Sequence, residues 1–242
     1  MFNQSVIFIT GGTGSFGKVL VKQLLLINGI KKIIIYSRDE FKQFNLEAKI
    51  PKNSKKKFRF LLGDIRDLDR LNFAFKDVDY VVHAAALKHV PKAEYNPFEY
   101  IKTNVIGTQN IVTAALNNNV KKVIALSTDK ACDPINFYGA TKLASDKLFV
   151  AGNNYVGNKP TLFSIVRYGN VIGSRGSVIP FFLKQKEMKE QLTITHPQMT
   201  RFFTTLEDAV KMVWTGLINM KGGEIFVLKN PSIKILELAN VI

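Results

Sequence analysis

Val6-Ile7-Phe8-Ile9-Thr10-Gly11-Gly12-Thr13-Gly14-Ser15-Phe16-Gly17 is an apolar, β-branched run that breaks into a cluster of glycines, and an amphipathic stretch from Lys18 to Leu26 follows it. A glycine cluster standing by itself reads as an ordinary turn. Between a strand and the start of a helix it is a dinucleotide fingerprint. Glycines permit a tight turn and close approach of backbone to pyrophosphate, and the helix N-terminus offers unpaired N–H groups and a favourable dipole. Gly11, Thr13, Gly14, Ser15, Phe16 and Gly17 are the first candidate cofactor contacts.

Similar short runs recur at Lys32 to Tyr36, Phe58 to Leu62, Tyr80 to His83, Val123 to Ser127 and Leu162 to Val166, with helix-like patterns such as Glu99 to Leu116 between them. Strands separated by helical crossovers predict an α/β fold, a Rossmann-type doubly wound parallel sheet. The nearly continuous apolar strands fit burial on both faces. After Arg167, a Gly- and Ser-rich segment from Tyr168 to Ser177, a helix-like stretch and Leu192 to Phe203 predict an excursion from the sheet. Leu206 to Asn219 and Glu224 to Leu228 predict the return. The expected organisation is a cofactor-binding core over 1–172, rejoined by 204–229, and a small substrate lobe over 173–203 and 230–242. That lobe is expected to be incomplete, because the apolar pattern from Ile233 to Ile242 stops within an element.

Composition narrows the class. With 242 residues, 46% hydrophobic, 22% charged and only 8 prolines, the chain reads as globular, not disordered. Apolar stretches such as Val19 to Ile27 are interrupted by Lys22 and Gln23 and fall short of a membrane span, which needs about 18 or more apolar residues. Val6 to Thr10 is too short for a signal-peptide core, so a cytoplasmic address is expected. The net charge of +15 raises nucleic acid as a partner. The lysines are spread along the chain, however, and the one dense run, Lys52, Lys55, Lys56 and Lys57, reads as a solvated loop with no nucleic-acid motif beside it. The charge is taken as background that attracts a phosphorylated ligand. Cys132 is the single cysteine, which excludes an internal disulfide, and His83, His89 and His196 are too scattered to imply a metal site.

The end of the second strand selects between NAD and NADP. It reads Ser37-Arg38-Asp39, where Arg38 and Ser37 suit a 2′-phosphate and Lys42 is near enough to assist, so NADP is the expected cofactor. Asp39 keeps an NAD reading open, since a carboxylate there could accept from a ribose hydroxyl. Asp64 and Ile65 suit an adenine contact, with Asp64 as a cap of the next helix the alternative.

Ser127-Thr128-Asp129-Lys130 ends a strand on the edge where such sheets bind ligands, and Tyr138-Gly139-Ala140-Thr141-Lys142 follows. Tyr138 and Lys142 fall on one helical face, one turn apart. A tyrosine titrating near ~10 is a poor base at neutral pH unless a cation stabilises its phenolate, which Lys142 would supply.

With Thr10 to Lys18, Tyr36 to Glu40, Ala84-Ala85-Ala86-Leu87-Lys88-His89-Val90-Pro91, Ser127 to Ala131, Tyr138 to Lys142, Arg167-Tyr168-Gly169-Asn170-Val171 and Met199-Thr200-Arg201-Phe202, the chain resembles the inverting UDP-N-acetylglucosamine 4,6-dehydratases. These belong to the extended short-chain dehydrogenase/reductase superfamily. Related retaining dehydratases carry Asp-Glu where this chain has Asp129-Lys130. The resemblance implies a lyase acting on UDP-N-acetylglucosamine through transient oxidation at C4 by NADP. Tyr138 would take the 4-hydroxyl proton, Lys130 the C5 proton, and Asp129 would protonate the leaving 6-hydroxyl, with Lys142 and Thr128 in support. It further implies cofactor contacts at Ala84, Ala86, Lys88 and Asn104, substrate contacts at Lys88, Asn170 and Arg201, a homo-oligomer, and a family chain that continues beyond residue 242. Two other readings stand beside it: a UDP-N-acetylglucosamine C5-epimerase or epimerase-reductase, and a non-catalytic NADP-sensing protein.

Overall fold

The computed structural model describes residues 2–174 and 177–242. Seven strands form one parallel sheet: β1 (Val6–Thr10), β2 (Lys32–Ser37), β3 (Phe58–Leu62), β4 (Tyr80–His83), β5 (Lys122–Thr128), β6 (Leu162–Tyr168) and β9 (Ile225–Val227), in the order β3-β2-β1-β4-β5-β6-β9. The remaining strands, β7 (Asn170–Val171), β8 (Thr200–Thr204) and β10 (Ser232–Lys234), make a second sheet in the order β10-β8-β7.

Alternation along each strand divides the interior into two cores. Val6 and Phe8 of β1 join Val123 and Ala125 of β5 on one face, where α3 (Leu68–Ala74), α6 (Gly107–Asn117) and α7 (Phe137–Gly152) bury Leu71, Ile111 and Phe149. Ile7 and Ile9 join Ile124 and Leu126 on the other face, against Leu20 and Leu24 of α1 (Ser15–Leu25) and Val210, Val213 and Leu217 of α9 (Leu206–Asn219). This two-sided burial explains why the central strands β1, β4 and β5 read as nearly continuous apolar runs. Phe182 of α8 (Val178–Glu187), Phe203 and Ile235 form a separate small cluster beneath the second sheet, with α10 (Ile235–Val241) beside it. No helix among the described residues is long and apolar enough to cross a membrane.

Local chemistry starts the helices where they are needed. Asp39 caps α2 (Glu40–Glu47) by accepting from the Lys42 N–H, Asn136 caps α7 by accepting from the Gly139 N–H, and Thr205 caps α9. The cap of α3 is Asp67, accepting from the Arg70 N–H, which overturns the capping alternative for Asp64. Asp64 lies too early and instead accepts from the Arg66 N–H at 3.0 Å. The pattern from Glu99 to Leu116 is not one regular helix. Between α4 (Val90–Tyr95) with α5 (Pro97–Tyr100) and α6, a π-helical turn spans Ile101–Ile106, and such turns recur at functional sites. The lysine run lies in a short 3-10 turn, Lys52–Lys57, that buries none of its residues. Positions 175 and 176 of the Gly- and Ser-rich segment fall outside the described residues.

Candidate active site

Because β1 lies between β2 and β4, the strand order reverses beside it, and the crevice at the carboxyl ends of the strands is where such sheets take ligands. A cleft of about 760 Å³ runs along that edge, from Ser37, Arg38 and Lys42 past the glycine loop to Thr128, Lys130, Tyr138 and Asn170. Its size lies within the ~300–1,000 Å³ usual for ligand sites.

The glycine loop has little room for anything else. Gly11 has φ +65°, and a Cβ there would sit 2.9 Å from the backbone of Ala84 and Ala85. A Cβ on Gly17 would lie 2.3 Å from the Gly12 oxygen, so Gly17 lets α1 press onto the loop and does not itself line the cleft. No side chain caps α1 at Gly14, which leaves its first N–H groups to a ligand. Thr10 ties the loop to β4. Its Oγ1 accepts from the Ala84 and Ala85 N–H groups at 3.1 Å and lies 2.8 Å from His83 Nδ1. The threonine proton therefore goes to Nδ1, and His83 carries its own proton on Nε2. Burial, then the neighbouring Lys142 charge, hold His83 neutral, with its pKa down at about 3.

At the β2 end Ser37, Arg38, Asp39, Lys42, Asp64 and Ile65 all line the cleft. Asp39 is occupied twice over, capping α2 and pairing with the Lys42 ammonium, whose hydrogen bond holds the carboxyl below its usual range. Arg38 Nη1 stands 3.5 Å from Asp64 Oδ2. Burial raises Asp64, but the hydrogen bonds from Arg66 outweigh it and keep its pKa low. Gln43 was invisible in the sequence: buried, it donates to Ser37 Oγ at 3.0 Å and to the Leu61 carbonyl at 2.9 Å. Ser37 thus accepts from Gln43 and keeps its own proton to donate.

At the β5 end the Thr128 hydroxyl hydrogen-bonds with Tyr138 and lies 2.9 Å from Asp129 Oδ1. Lys130 Nζ donates to Asp129 Oδ1 at 3.0 Å and to Asn170 Oδ1 at 2.8 Å. Lys142, buried, donates to the Leu126 carbonyl at 2.9 Å. Burial raises the Tyr138 pKa above its ordinary value, against the hydrogen bond to Thr128. The lowering expected from Lys142 is not what sets it in this arrangement. Burial likewise lowers Lys142, and the Asp146 charge raises it.

Ala84, Ala86 and Lys88 line the cleft. Asn104 and Arg201 do not. Asn104 Oδ1 accepts from the Leu87 N–H at 2.9 Å, and its Nδ2 donates to the Leu87 carbonyl at 2.9 Å and to Thr141 Oγ1 at 3.1 Å, so it clamps the loop after β4 to α7. Arg201 sits on β8 opposite Ile233 and donates to the Thr200 carbonyl at 2.8 Å. Thr103, in the π-helical turn, was not singled out in the sequence. It is 5% exposed, lines the cleft, and its Oγ1 has no hydrogen-bond partner. The uncapped α1 terminus beside the glycine loop is what shows that the residues present fit a dinucleotide.

Sheet order, glycine loop and the Tyr138–Lys142 pair define a Rossmann-type protein of the extended short-chain dehydrogenase/reductase class. The family described as polysaccharide biosynthesis protein matches residues 7–242, and the chain belongs to it. It is 58% identical over 243 residues to the UDP-N-acetylglucosamine 4,6-dehydratase (inverting) of Campylobacter jejuni subsp. jejuni, covering 100% of this chain and 72% of that protein. It is 45% identical over 245 residues to the UDP-glucose 4-epimerase of Rickettsia akari, covering 100% of this chain and 71% of that protein. Among solved structures, Pen from Bacillus thuringiensis superposes with a TM-score of 0.95 at 42% identity, covering 99% of this chain and 74% of that one.

Proposed function

We propose that the chain is a lyase that removes water from UDP-N-acetylglucosamine, giving a 4-keto-6-deoxy sugar nucleotide inverted at C5. The observation that carries this reading is the meeting of Thr128, Lys130, Tyr138 and Asn170 at one end of the cleft, with Asp129 behind its lining and hydrogen-bonded to Thr128 and Lys130. Loss of water across C5 and C6 needs an acidic C5–H, which requires a ketone at C4, so oxidation comes first. Ser37, Arg38, the glycine loop and Lys142 would hold NADP, which would supply reversible hydride acceptance from C4 and return at C6.

Tyr138 takes the 4-hydroxyl proton, with Thr128 orienting it and Lys142 carrying the compensating charge. Lys130 takes the proton from C5, and Asp129 gives one to the departing 6-hydroxyl. These roles need a neutral amine and a protonated carboxyl, and the contact at 3.0 Å allows one proton to satisfy both. Moving it from Lys130 to Asp129 leaves Lys-NH₂ beside Asp-COOH, the same number of protons as in the ion pair. Reprotonation at C5 from the opposite face inverts the centre.

The division into a core over 1–172 with 204–229 and a substrate lobe is part of this reading, as are a cytoplasmic address and a homo-oligomer. Incubation with UDP-N-acetylglucosamine and mass spectrometry test it. The product should be lighter by one water; an unchanged mass with inversion at C4 or C5 would mean an epimerase.

A further inference from the structure

Tyr138, Lys142 and Asp146 follow one another on α7 at four-residue steps, which stacks them along one face. Asp146 is 2% exposed. Its Oδ2 accepts from Ser127 Oγ at 2.9 Å and from Arg167 Nε at 2.8 Å, while its buried Oδ1 has no hydrogen-bond partner. Ser127 and Arg167 are register partners on β5 and β6, so the carboxylate is fastened to two adjacent strand ends. Lys142 is 3% exposed, and the hydrogen bond described for its ammonium goes to the Leu126 carbonyl. Asp146 pairs with Arg167 of β6 and stands one turn along α7 from Lys142, so one buried carboxylate serves two cations, and its charge raises Lys142. An ammonium buried without a counter-charge sheds its proton.

The surrounding titratable groups do not replace that carboxylate. His83 of β4 is neutral, and burial raises Tyr100 of α5 and Tyr168 of β6, which keeps them uncharged. Asp129 is paired with Lys130 in the turn after β5, and Glu94 of α4 accepts from the Phe137 N–H at 2.7 Å. We propose that Asp146 is a positioning residue that keeps the buried Lys142 an ammonium and so holds the Tyr138–Lys142 pair in its working charge state. The use of the pair in catalysis rests on the proposed function; the charge of Lys142 does not.

The test reads Lys142 directly in the protein without cofactor or substrate. Lysine is labelled with ¹³C and ¹⁵N, the Lys142 side-chain signals are assigned by their loss in Lys142→Met, and their titration is followed. Asp146→Asn keeps shape and acceptor but removes the charge. It should lower the Lys142 midpoint by about one pH unit or more, a tenfold loss of proton affinity. Asp146→Glu should restore the midpoint. Arg167→Gln removes the competing cation and should raise it. Equal midpoints in the unmutated protein, Asp146→Asn and Arg167→Gln overturn the proposal; if Asp146→Asn does not fold, an unmoved or lowered midpoint in Arg167→Gln overturns it. In turnover assays the alkaline limb of kcat/KM should follow the same order. Absence of dehydratase turnover, with the midpoints moving as stated, would refute the proposed reaction and leave the role of Asp146 standing.

Discussion

Replacing Lys130 by alanine separates elimination from the oxidation that precedes it. The amine makes two contacts, to Asp129 at 3.0 Å and Asn170 at 2.8 Å. The side chains of Lys130 and Asp129 are 29% and 28% exposed, so water can take the place of the lost donor. A partly exposed ion pair contributes about 0–1 kcal/mol and a hydrogen bond about 1 kcal/mol, so the melting temperature should fall by only a few degrees. Loss of a positioned general base costs ~10²–10⁴-fold in rate. The two effects are far enough apart to be told from each other. In deuterated solvent with UDP-N-acetylglucosamine, Lys130→Ala should bind NADP, oxidise C4 and fail to exchange the C5 proton. Asp129→Asn keeps the base, and should exchange C5 while losing the 6-hydroxyl slowly. Deuterium entering C5 of the Lys130→Ala product at the unmutated rate would assign the base to another residue and refute the reasoning.

Arg38→Ala should erode a preference for NADP over NAD by about tenfold or more, since a charge-assisted contact contributes ~1.5–3 kcal/mol; calorimetric affinities equal for both cofactors in the unmutated chain would contradict the assignment. Tyr138→Phe removes the transferable proton only, so turnover should vanish while NADP affinity changes less than about threefold, measured by calorimetry and product analysis. His83 gives a pH prediction with a definite sign. Its folded pKa is about 3 against an ordinary 6.5, so on acidification the unfolded chain takes up the proton first. The stability carried by the neutral ring is complete above the ordinary value and is lost as pH falls toward the folded one. Between about pH 7 and pH 4 this amounts to up to about 3 kcal/mol. Urea unfolding at the two pH values should show a smaller loss for His83→Gln than for the unmutated chain.

The sheet was legible because its signal is local. Val6 to Ile9 and Tyr80 to His83 are apolar runs and Phe58 to Leu62 is broken only by Arg59; β1 extends one residue past its run, to Thr10, and the other two strands fall where their runs predict. The glycine loop was legible for the same reason, since a left-handed φ at Gly11 and the tight approach at Gly17 leave a residue type as their trace. Spacing on α7 placed Tyr138 and Lys142 on one face without knowledge of what that face meets.

Partnerships between distant segments left no such trace. Whether Asp39 serves a ribose or caps α2 depends on Lys42 folding back onto it, and the cap of α3 went to Asp67 because of where the helix starts. Asn104, expected at the cofactor, hydrogen-bonds the Leu87 backbone, and Arg201, on β8, is not among the residues lining the cleft. Gln43, Thr103 and Asp146 look unremarkable in the chain; each matters because burial removes water and leaves a polar group dependent on the partners that packing brings to it. Local periodicity thus determined the fold class and the cofactor loop. The protonation states and hydrogen-bond partners at the β5 end were decided by tertiary structure, because burial and charge act through space across residues as far apart in sequence as His83 and Lys142.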